Sequence, residues 1–222
     1  MPNQANERLV YESARAAMVK AGISANHAVL TQSFLRLEAA LTTTNTSYKF
    51  DVLVNEQVNT NFNTQTKLNL QDAFLVSNIG LFVTKPSSSS DTTSQLVTYP
   101  NASIFSSSNT ASSLFTIYNG KLTLSKNQRE IVTGWDCYRH YAVPQQQQTA
   151  NADYTSSAIA YKDQQSGADS GFYPCEPNWI LDGGKKNDLS LVLPSSLAAV
   201  ETNSRVVLIL RGILAQNSTS IN

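Results

Sequence analysis

Cys137-Tyr138-Arg139-His140-Tyr141 is the place in this chain where a thiol and an imidazole lie close enough in sequence to suggest chemistry. A histidine that withdraws the thiol proton gives a thiolate nucleophile, which requires direct contact between the two groups and a lowered thiol pKa. Read as a strand, the stretch sets Cys137, Arg139 and Tyr141 on one face and Tyr138 and His140 on the other, so the spacing favours packing roles. The second histidine, His27, has no paired-histidine spacing with His140, and a histidine-based metal site has little to build on. Asp136 and Glu176 are isolated carboxylates with no partner assignable from spacing, so a glycosidase-type pair is not supported. Asp182-Gly183-Gly184-Lys185-Lys186 lacks the spacing of a phosphate-binding loop and reads as a solvated turn. No catalytic, cofactor-binding or metal-ligating residue is assigned, and the expectation is a protein that is not an enzyme and needs no cofactor. Trp135, Tyr138, Tyr141, Phe172, Tyr173 and Trp179 could line a sugar-binding face, although aromatics in such number more often form core or interface.

The elements that must position these residues change period along the chain. Asn6 to about Gly22 reads as a helix with Asn6 as N-cap, and a second helix is predicted from Ser24 or Asn26 to Leu41, with a stripe at Leu30, Phe34, Leu37 and Leu41. Together they form a helical arm or hairpin over 1–45, which packs on its own sheet or on a neighbouring subunit. After the polar tract 42–47 the period switches to two, and 46–222 reads as a β-domain with long polar loops. Tyr48 to Val54 alternates. Lys67 to Thr84 holds two strands, or one strand bent at Ser77-Asn78. Ser87 to Ser90 marks an exposed loop. Leu114 to Ile117, Asn119-Gly120 and Leu122 to Leu124 read as a hairpin, because Asn-Gly suits a turn with positive φ. A polar region runs from Gln145 to Ser170. Leu189 to Leu193 alternates, and Val206 to Leu210, apolar on both faces, reads as a central strand.

Composition narrows the function classes. Of 222 residues 41% are hydrophobic but only 14% are charged, against about 25% in ordinary chains. Sixteen basic and sixteen acidic side chains cancel, so a strong nucleic-acid footprint is not expected. The first residues lack a basic n-region and apolar h-region, and no run is long enough to span a bilayer. Cys137 and Cys175 are therefore expected reduced and buried. A polar but uncharged surface suits contact with copies of the same chain.

The two stretches DLSLVLPSSLAAVETNSRVVLILRGILAQ and LFTIYNGKLTLSKNQREIVTGWDCYRHYAVP resemble the β-strand layout of jelly-roll capsid proteins of tailless icosahedral bacteriophages. The resemblance implies an antiparallel β-sandwich of jelly-roll type and a self-assembling virion protein, in particular the capsid shell. It also implies manufacture in the host cytoplasm, and copies of itself and other virion proteins as partners. Candidate contacts between subunits are Leu30, Phe34, Leu37, Leu41, Trp135, Tyr138 and Trp179. The alternative is a carbohydrate- or receptor-binding β-sandwich module that uses the aromatic and Ser-rich loops.

Overall fold

Alternation of apolar residues at period two, expected over most of the chain, is realised as two antiparallel four-stranded sheets facing each other. The computed structural model describes residues 3–26, 28–100, 104–105, 108–143 and 171–218, so His27 and the polar region from Gln145 to Ser170 lie outside the described residues. The elements are α1 (Asn3–Lys20), β1 (Val29–Ala40), β2 (Ser47–Phe50), β3 (Ala73–Thr84), α2 (Ser108–Tyr118), β4 (Lys121–Lys126), β5 (Arg129–Asp136), β6 (Phe172–Asp182), β7 (Asn187–Val192) and β8 (Arg205–Gln216). One sheet has the order β1-β8-β3-β6 and the other β2-β7-β4-β5. The pairs β1·β8, β2·β7, β3·β6 and β4·β5 run in antiparallel register. The additional antiparallel pairs β3·β8 and β4·β7 complete the two sheets.

The inward faces meet in one core. β1 contributes Leu35, Leu37 and Ala39, β8 contributes Val206, Leu208 and Leu210, and the facing sheet contributes Tyr48, Phe50, Leu122, Leu124, Leu189 and Leu191. In β3 the inward residues are Phe74 and Val76, then Ile79, Leu81 and Val83. The change of parity is absorbed by a bulge between Val76 and Asn78. A single strand bent at Ser77-Asn78 is thus the form realised, and the bulge keeps apolar residues inward on both sides of it.

Two of the expected elements are corrected. The second helix does not form: Leu30, Phe34 and Leu37 lie on β1, twelve residues in unbroken register with β8. Its helical stripe competes with a period-two set, Leu35, Leu37, Ala39 and Leu41, which is the set that is buried. Pairing with a distant strand decides between them, overriding the local helix preference of Leu, Arg, Glu and Ala. The arm is therefore a single helix, and the β-domain begins well before residue 46. The expected hairpin at Asn119-Gly120 is also displaced. Leu114, Ile117 and Tyr118 sit at helical spacing on α2 and are all buried. The hairpin turn lies one strand later, at Asn127 and Gln128, where φ is 49° and 66°, the positive values a twisted two-residue hairpin needs. Gly120 is wanted for closeness instead, since a Cβ there would lie 2.9 Å from the Val192 carbonyl oxygen.

α1 docks on the outer face of the β1-β8-β3-β6 sheet. Ala14 and Met18 pack with Ala73, Leu75, Ile213 and Ala215. The helix stops at Gly22, whose φ is +83°; Gly22 N–H donates to Val19 O and Ile23 N–H to Met18 O. This pattern of bonds satisfies the last carbonyls, and Ile23 folds back beside Met18 in the same cluster. Of the two placements open to the helix, the packing on its own sheet is seen.

The other end of that outer face is covered by loops rather than helix. Glu38 and Arg205, both buried, form an ion pair at 2.9 Å. Glu38 also accepts from Arg36 at 2.7 Å and from Thr64, while Arg205 donates to the carbonyls of Ser88 and Ser89 and stacks on Phe62. The Ser-rich loop, exposed as expected, is held by polar anchors: Asp91 accepts from the backbone of Ser87 and Thr93 and from their hydroxyls. Those bonds hold its carboxyl well below the usual range, the Ser87 N–H first. In the connection between β2 and β3, the buried Asp51 accepts from the N–H groups of Val58 and Asn59 and pairs with Lys67.

Candidate functional site

Cys137 and His140 are brought to the same side of the chain, but each makes its hydrogen bonds to other groups. Residues Cys137–His140 form a 3₁₀ turn rather than the expected strand, started by Asp136, which accepts from Tyr138 N–H at 3.0 Å. A turn of three residues places Cys137 and His140 together inside and leaves Tyr138 outside. Trp135 Nε1–H can only donate, and it donates to His140 Nε2 at 2.9 Å. The proton therefore resides on Nδ1, which donates to the Gly171 carbonyl at 2.8 Å. Both ring nitrogens are used by partners other than Cys137. Burial pushes the Cys137 thiol up to about 12, and its hydrogen bond goes to the Trp135 carbonyl. A buried neutral thiol and an imidazole engaged elsewhere cannot act as nucleophile and base. Cys175, also free and buried, is pushed up to about 12 by desolvation.

The imidazole makes a pH prediction. Burial lowers the His140 pKa, outweighing the Gly171 hydrogen bond that raises it. Between that lowered value and about 6.5 the unfolded chain binds a proton that the folded one does not. Stability from this group is therefore full above about pH 6.5 and falls as the pH drops below it, by up to about 1.4 kcal/mol per unit. Urea unfolding of the protein and of His140→Gln at pH 5 to 8 checks this. The variant should show a shallower loss toward pH 5, and equal slopes would contradict the assignment.

The remaining candidates fall into separate places. Asp182-Gly183-Gly184-Lys185-Lys186 is the β6–β7 turn, in which Asp182 meets Lys126 at 3.5 Å and Asn187 closes the loop onto the Asp182 and Lys185 carbonyls. Glu176 lies exposed on β6, and among the described residues no group of three potential metal ligands is assembled. The aromatics pack chiefly on one another. Trp135 meets Trp179 edge-on at 5.5 Å, and Tyr138 stacks on Tyr141 at 5.9 Å, with Phe115 edge-on to both tyrosines.

The seven residues expected at subunit contacts divide by burial. Leu37, Leu41 and Trp179 belong to the core of the sandwich, which removes them from any surface offered to another chain. Leu30 and Trp135 are partly buried against the two clusters. Phe34 and Tyr138 are 50% and 53% exposed. Phe34 opens onto a groove of about 890 Å³ between α1 and the outer sheet face, lined also by Leu9, Val10, Gln32, Ile209 and Arg211. Helical spacing predicts Leu9, Val10, Ala14, Ala17, Met18 and Ala21 on one face of α1, but Ala14 and Met18 dock while Leu9 and Val10 stay exposed, since two neighbours on a helix cannot both turn inward with them.

No helix among the described residues is long and apolar enough to cross a membrane. Compared with known proteins, the chain matches no family model, no curated protein and no solved structure.

Proposed function

We propose that the sandwich is a jelly roll and that the chain is a self-assembling structural protein of a virus particle, its shell subunit, made in the host cytoplasm and resident in the virion. The observation that carries the reading is the strand order, β1-β8-β3-β6 facing β2-β7-β4-β5, the arrangement expected when an eight-stranded hairpin ribbon is wound into two sheets, as in viral shell and lectin domains. The surface supports the viral choice. Charged residues are few and balanced, while Leu9, Val10, Val29, Phe34 and Ile131 are large apolar side chains left exposed. Contacts built from apolar patches and neutral hydrogen bonds persist when salt screens charge, the screening length falling to about 3 Å at 1 M. Light scattering across a salt series should show assemblies that survive 1 M salt. A monomer at every protein concentration, or dissociation by moderate salt, would contradict the reading.

The exposed Tyr138 and Tyr173, which flank the His140 turn, favour a second reading, a carbohydrate-binding module. A glycan array tests it, with binding lost in Tyr138→Ala.

A further inference from the structure

We propose that the open edge of β1 from Leu30 to Phe34 receives a second copy of this chain, whose own β1 adds antiparallel across a two-fold axis at Gln32. The inference rests on the self-assembly reading and names the surface that would serve it.

The direction of the backbone along β1 follows from two contacts. Arg36 N–H and C=O exchange hydrogen bonds with Thr66 at 3.0 and 2.9 Å, and the Glu38 carbonyl accepts from the Gln65 side chain. Even-numbered residues of β1 therefore aim their backbone groups away from β8, and the register with β8 has no break that would change this toward the start of the strand. Leu30, Gln32 and Phe34 aim three N–H and three C=O groups outward, and among the described residues none of these has a partner. The second half of the same edge is covered by the loop carrying Gln65 and Thr66. Among the described residues, nothing pairs with the first half.

The other three sheet edges are defended. β6 carries Pro174 and Pro177, β2 is four residues long, and β5 is set off its neighbour by two register shifts and carries Arg129, Glu130 and Asp136. Prolines, short strands, bulges and charge are the means by which sheets avoid pairing with other chains. Val29-Leu30-Thr31-Gln32-Ser33-Phe34 has none of these and bears no charge. Exposed or half-exposed throughout, it also borders the groove in which Leu9 and Val10 are exposed.

A second copy is the occupant that fits this edge. With the axis at Gln32, Leu30 of one copy faces Phe34 of the other, and Gln32 faces Gln32. All three are outward-facing residues, so each pair exchanges two hydrogen bonds and six are formed in all. The Leu30–Phe34 pairs lie on the outer face beside the groove, an aromatic–aliphatic match repeated by symmetry. Since the segment is uncharged, the two copies meet without like-charge repulsion.

Sedimentation velocity on the full chain tests this with three substitutions at the axis. Gln32→Lys and Gln32→Glu each set like charges opposite one another, and each should weaken self-association, while mixing the two should restore it. Gln32→Pro removes only an outward N–H, which an edge strand tolerates, and should weaken association at least about tenfold through two lost hydrogen bonds. Restoration on mixing is the result a merely structural residue would not give. If all three variants associate like the parent, the edge is not the contact, and particles seen under those conditions would leave the shell reading standing without it. Dimers that respond to Gln32 while no particles form would support the edge and count against the shell. A parent chain that is monomeric at every concentration overturns both.

Discussion

Replacing Arg205 by Met while Glu38 is kept is expected to cost about 3 to 5 kcal/mol, because it leaves a carboxylate buried without its main counter-charge. For a chain of this size that corresponds to a fall in Tm on the order of 10 °C. Arg205 is 2% exposed and joins three parts of the chain: Glu38 on β1, the Ser88 and Ser89 carbonyls, and the Phe62 ring. Its loss should therefore free the Ser-rich loop as well as destabilise the sheet. The double variant Arg205→Met with Glu38→Leu removes both buried charges and should recover part of the loss, since no buried ion is then left and Arg36, which also loses Glu38, is partly exposed and can turn to solvent. Urea unfolding of the two single variants and the double measures the coupling. A cost below about 0.5 kcal/mol for Arg205→Met, in the range of an exposed pair, would sink this view of the network.

Gly212→Ala is the second large effect. Gly212 sits in the central strand β8 opposite Val76, next to the bulge, and a Cβ there would run into the Leu75 carbonyl oxygen and lie 2.9 Å from its carbon. Both are backbone atoms, so neither can rotate away, and the two central strands must separate. The expected loss is about 3 kcal/mol, at the upper end for overpacking. Gly134→Ala on the edge strand β5 is the control, because its nearest neighbour is Lys121 Cδ at 3.7 Å; it should be neutral within about 0.5 kcal/mol. Thermal unfolding of both separates close backbone approach from a general cost of losing glycine.

The elements read correctly from sequence are those whose period admits one interpretation. Leu189, Leu191 and Leu193 alternate with no competing helical stripe, and Val206 to Leu210 is apolar on both faces because β8 lies between the core and the covered outer face. β1 was ambiguous since Leu37 and Leu41 belong to both its helical and its alternating set. The twelve-residue pairing with β8 that decides it is made more than 160 residues away in sequence. Asn119-Gly120 misled in the opposite sense: neither residue takes a positive φ, and the helical spacing of Leu114, Ile117 and Tyr118 is what is buried. For the site, residue types were legible and exposure was not. Trp135 and Trp179, expected at subunit contacts, lie against and in the core, and only the 3₁₀ turn places Tyr138 outside and His140 inside. The open edge at Gln32 had no sequence signal beyond the absence of charge and proline, because which backbone groups face outward depends on the partner strand.

Negative-stain electron microscopy of the purified full-length chain tests the proposed role most directly. The account predicts closed, isometric particles of uniform diameter that persist in 1 M salt and are lost or malformed in Gln32→Pro. A field containing only dispersed monomers, at protein concentrations and salt conditions where the chain is folded, would contradict it.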